Sequence, residues 1–178
     1  HLTANTRHRP LRTDDPEAVV RALLAVSIRL RKGEQLVLQL LLGHRRVPLA
    51  VLDHSPSSLV APWYTVAWLG NGGQIDGEKR KALRSKVSDF GFAMTIRLGV
   101  TAGASDRRKA LLLGLAAAIR VAEAPGIQLR PHRESAAHLN NAAAPWRWPL
   151  RLGVPELVGL TGWPIGDNDL PGLGASHP

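Results

Sequence analysis

Twice along this chain a leucine-bearing helical stretch runs through a glycine into a strand, and that repeat constrains the fold more than anything else in the sequence. The first copy opens at Asp15-Pro16-Glu17, which supplies an N-cap, a proline at the first helical position and an early carboxylate. Val19, Leu23, Val26 and Leu30 then recur at three- and four-residue spacing, one apolar stripe, until Arg31-Lys32-Gly33 places cations and a stop at the negative end of the dipole. The second copy begins at Ser105-Asp106, carries Leu111, Leu112, Leu115 and Ile119 inward, and ends at Pro125-Gly126. Arg21-Ala22-Leu23-Leu24 in one matches Lys109-Ala110-Leu111-Leu112 in the other.

The strands are read from alternation. Over Gln35–Leu42, four leucines at even positions face one way, while Gln35, Val37, Gln39 and Leu41 face the other, a second face only half polar. Phe92, Met94, Ile96, Leu98 and Val100 alternate with Ala93, Thr95, Arg97 and Gly99, which predicts a strand buried on one side. Ile127–Arg130 reads as a short last strand, and Leu2–Arg7 as a weak first one. The order becomes βαβ, linker, βαβ. Two such units predict an α+β, ferredoxin-like sandwich: a four-stranded antiparallel sheet with both long helices on one face. Residues 1–133 would form this domain, interrupted by a linker at 44–76. Residues 134–178, short helices and a Gly/Pro-rich stretch, read as a tail or wrap without a core of its own.

Two segments between the units stand out. The linker carries Trp63, Tyr64 and Trp68, which read either as anchors of a flap packed on the domain or as a partner-docking surface. The helix that follows, starting at Asp76, holds Lys79, Arg80, Lys81, Arg84 and Lys86, a candidate contact for DNA or another polyanion. Like charges four residues apart cost helix stability, so an acidic partner would offset that cost. The chain's formal charge of +9 and pI near 11.2 point the same way, toward polyanions in general.

Chemistry of its own is not expected. With no cysteine there is no thiol nucleophile and no Cys-based zinc site. No GxxxxGK[ST] loop occurs, and no GxGxxG follows a strand. Asp53-His54-Ser55 are sequence neighbours, whereas a catalytic relay needs partners converging from distant elements. His132 and His138 lack a third ligand nearby. We therefore assign no catalytic residue, no metal site and no cofactor to these residues. Phe90-Gly91-Phe92-Ala93 resembles the aromatic strand of RNA-recognition modules, but stacking Phe92 outward would expose Met94, Ile96, Leu98 and Val100. At roughly 1.5–3 kcal/mol per buried apolar side chain, the core assignment wins. No apolar run approaches the roughly 20 residues that span a bilayer. His1 reads as a tag remnant, and the missing initiator Met suggests a piece cut from something longer.

Four segments carry a resemblance: Arg9–Ala18, Gln35–Gln39, Lys86–Val100 and Leu152–Pro164, the last including Val154-Pro155-Glu156-Leu157-Val158-Gly159-Leu160 and then Gly162-Trp163-Pro164. Their order resembles the region ahead of the motor in actinobacterial type IV secretion, or conjugative DNA-transfer, ATPases. The resemblance implies a non-catalytic assembly or docking domain at the cytoplasmic face of the membrane. Its partners would be its own motor domain, further subunits of a hexamer, secretion-channel components and possible DNA. ATP and Mg would belong to a motor beyond Pro178, so the whole protein would be an ATPase and this part would not. The alternative is a stand-alone nucleic-acid-binding domain using the Lys79–Lys86 helix.

Overall fold

The computed structural model describes residues 1–6, 9–48 and 77–163, with only the backbone at 77–80. Trp63, Tyr64, Trp68 and Asp76 lie outside the described residues. The fold is α+β, with antiparallel sheets and, among the described residues, five helices.

Helix α1, Ala18–Ser27, starts two residues later than Asp15-Pro16 predicts, with Glu17 at the N-cap position, although Asp15 Oδ1 still accepts the amides of Glu17 and Ala18 at 3.2 and 3.1 Å. It ends short of Gly33. Ser27 turns its hydroxyl back onto the Leu24 carbonyl at 2.7 Å, and the Arg29 and Leu30 amides bond three residues back instead of four. Serine competing for the backbone tightens the last turn and closes the helix early. Gly33 still makes the turn, at φ +84°. Helix α2 is Gly77–Val87, the basic helix, and α3 is Ser105–Arg120, with Ala104 at the N-cap position and Asp106 in the first turn.

Strand β1, Leu2–Ala4, pairs antiparallel with β4, Leu129–Pro131. Strand β2, Gln35–Arg46, pairs antiparallel with β3, Gly91–Thr101, with an irregularity between Leu42 and Arg45. A further strand, β5, Leu150–Gly153, lies antiparallel on the other edge of β3 at Gly91–Met94. The four expected strands therefore do not share one ladder. There are two sheets, β1-β4 and β2-β3-β5. Strand β1 packs against β3 and β5, but it is three residues long, and β5 already occupies the edge of β3 beside it.

The core joins the helices to these strands. Leu2, Val19, Met94, Ile96, Ile119 and Leu160 are all under 2% exposed, and Leu150 and Leu152 of β5 lie in the same cluster. Leu160 comes from the last helix, α5, Val154–Thr161. So the stretch after residue 133 is more than a tail: it contributes a strand and a helix to the one core.

The other face of β3 corrects the one-sided expectation. Ala93, Thr95 and Arg97 are as buried as Met94, because residues 132–149 lie across them. Short helix α4, Ala136–Asn140, brings Leu139 into the space left by Gly99. Beyond it, the Trp148 ring fills the space over Gly43, where a Cβ would lie 2.5 Å from Cε2. Both glycines admit a side chain from the wrap that no larger residue would tolerate.

Candidate functional site

Two buried charge nodes hold the C-terminal stretch on the body, and they decide which charged residues face solvent. The first forms around Glu156, in the first turn of α5. One carboxylate oxygen accepts the Leu11 amide at 2.8 Å and Lys86 Nζ at 3.1 Å; the other accepts the Gly153 amide at 2.7 Å. Lys86 Nζ also donates to the Arg9 carbonyl at 2.9 Å. The two side chains are 5% and 4% exposed, so three separate chain segments meet at one desolvated ion pair. Such a pair is costly to break, since either partner alone is an uncompensated buried charge. Lys86, expected among the polyanion contacts, is thus withdrawn from that set: its ammonium is spent inside.

The second node pins the wrap. Arg97, 2% exposed, donates Nε and Nη2 to the two oxygens of Glu134 at 3.1 and 3.0 Å, the bidentate geometry a guanidinium favours. Its Nη1 reaches the Gln39 side-chain oxygen at 3.2 Å and the His138 carbonyl at 3.1 Å. His138 Nδ1 lies 3.0 Å from Glu134, and Gln39 donates to the Leu139 carbonyl at 3.0 Å. Burial alone pushes the Glu134 carboxyl up; the hydrogen bonds from Arg97 and His138 outweigh it and hold the group below its usual value. A third contact joins α3 to the turn before β2. Arg107 donates to Glu34 at 2.8 and 2.9 Å, and with the Arg31 amide this holds the Glu34 carboxyl down at about 2.

On α2, Lys81 and Arg84 are exposed, while the side chains of Lys79 and Arg80 lie outside the described residues. At the foot of that helix a shallow cleft is lined by Arg46, Lys86, Asp89, Gly91 and Arg151. Burial lowers the pKa of Arg46 there. Next to it Arg45 stacks its guanidinium over the Phe90 ring, 4.2 Å from the centroid.

Apolar side chains left in solvent complete the surface. Val154 and Val158 lie one turn apart on α5 at 44% and 52% exposure, and Phe90, at 43%, accepts the Val154 amide at 3.1 Å. Trp146 is 95% exposed. Nothing local in the sequence marks Glu156, Arg97 or Glu134 as buried charges, or Trp146 as exposed. Among the described residues no group of three or more metal-ligating side chains converges, and no helix is long and apolar enough to cross a membrane. No family model, curated protein or solved structure matches the chain.

Proposed function

We propose that this chain is the non-catalytic assembly and docking domain of a conjugative DNA-transfer ATPase, a ferredoxin-like unit ahead of a motor, working at the cytoplasmic face of the membrane. The observation that carries the reading is the apolar patch of Phe90, Val154 and Val158. Its two valines sit on α5, the element whose sequence resembles the lead-in to that family's motor, and the Phe90 carbonyl accepts the Val154 amide beside them. Apolar side chains left exposed together on one helix face suit an interaction site, and Glu156 fixes the helix that carries the valines to the body. The domain binds its own motor and neighbouring subunits, and through them the secretion channel. ATP and Mg are handled by the motor, not here.

The encoding gene beyond the codon for Pro178 tests this directly. A GxxxxGK[ST] loop downstream is the expected result; a stop codon there would refute the reading. The second reading, a stand-alone nucleic-acid-binding domain, rests on the exposure of Lys81 and Arg84 on α2. Changing Lys79, Arg80, Lys81 and Arg84 together to Gln, with Lys86 left in place, separates the two. A steep, salt-dependent loss of single-stranded DNA binding would favour the second.

A further inference from the structure

We infer that the outer edge of β2 is where two copies of this chain join, strand against strand about a two-fold axis, so that two three-stranded sheets become one continuous antiparallel sheet. This goes beyond the docking reading and uses a different surface from the α5 patch.

The backbone of the edge says what kind of group covers it. Strand β2 is 12 residues long and ends its sheet: β3 holds one side, and among the described residues no strand pairs with the other. Its outward amides and carbonyls form a row of donors and acceptors that an extended strand can satisfy in register. Native edges are commonly blunted by lysine, by proline or by a bulge. Here residues 35–43 hold no charged residue and no proline, and the irregularity against β3 comes only after Leu42. Gln35–Leu42 is left open to pairing.

Side chains select a second copy as that strand. Leu38, Leu40 and Leu42 stand opposite Leu98, Ile96 and Met94 of β3. Met94 and Ile96 are wholly buried, whereas Leu38 and Leu40 are only partly covered and Leu42 is 54% exposed. Cover from the helix layer is complete over β3 and incomplete over β2. On the opposite face Val37 is 40% exposed. A two-fold axis perpendicular to the sheet reverses strand direction but keeps the face, so even-numbered residues of one copy meet even-numbered residues of the other. The leucine stripe of each copy then lies beside its twin, and each completes the burial of the other. Charge permits this contact. Two chains of +9 repel one another as wholes, but the stretch that would touch is uncharged, and Arg45 at its end rests its guanidinium on the Phe90 ring.

Sedimentation equilibrium of the whole chain over a concentration series is the test. Wild type should pass from one-chain to two-chain mass, more readily at higher salt, which screens the repulsion between copies. Val37→Lys and Leu42→Lys each place a cation on the uncharged edge and should weaken self-association about tenfold or more, with the circular dichroism spectrum retained. Val37→Thr keeps a β-branched side chain and should associate as wild type does. Should a lysine variant misfold, hydrogen exchange on wild type decides the matter: amides of residues 36–42 should gain protection as concentration rises. One-chain mass at every concentration overturns the inference. So does self-association that survives both lysines, that weakens with salt, or that leaves exchange over 36–42 unchanged. None of these results bears on the gene beyond Pro178, so the docking reading stands or falls separately.

Discussion

Glu156 shows how one carboxylate can organise a small domain. It accepts from two amides and one ammonium supplied by segments far apart in sequence. Glu156→Ala should therefore cost about 3–5 kcal/mol in denaturant unfolding, because Lys86 would be left buried without its counter-charge. Replacing both, Lys86→Met with Glu156→Leu, should cost less than either single change. If the double variant is as unstable as the sum of the singles, the pair is not coupled as described. Glu34 gives a pH signature. Its folded pKa, about 2, lies below its ordinary 4.5, so its contribution is complete above that ordinary value and is lost as pH falls through the folded one. Arg107→Gln should be less stable at neutral pH, with the gap to wild type closing between about pH 4.5 and about 2 in acid titrations followed by circular dichroism. A gap that stays constant with pH would count against the Arg107–Glu34 contact.

At the level of elements, the legible parts were those whose signals are local. Asp15 capping α1, the alternation that buries Met94 and Ile96, and the short helix from Val154 all announce themselves within a few residues. What escaped depends on partners distant in sequence. Arg97 reads as solvent-facing from parity alone, yet Glu134, on a segment that looks like linker, makes its burial tolerable. Strand β5 is four residues caught between Pro149 and Pro155, too short for periodicity to register, and its arrival on β3 is why the expected four-stranded sheet divides in two. The basic helix was found, but not that Lys86 turns inward. Packing at Gly99 offers a test at this scale. Gly99→Val would put methyls where Leu139 sits, an overpacking cost of roughly 1–3 kcal/mol, and should release α4 and the following segment. Proteolysis at 136–147 should accelerate; unchanged protection would mean that Leu139 does not seat the wrap. Ala142→Gly should do the opposite, adding up to about 1 kcal/mol by relieving the left-handed backbone.

For the whole molecule, the ion pairs Lys86–Glu156 and Arg97–Glu134 fasten the C-terminal stretch to the body, while Val154 and Val158 of α5 and Lys81 and Arg84 of α2 are among the side chains that remain exposed. Docking through α5 requires residues 134–163 to be part of the folded body and not an appendage upon it. Hydrogen exchange measured peptide by peptide reads this out. Amides of α5 and β5 should exchange with the same slow, global unfolding as those of β2 and β3, and Glu156→Ala should speed all of them together. Rapid exchange across 134–163 while β2 and β3 stay protected would contradict it.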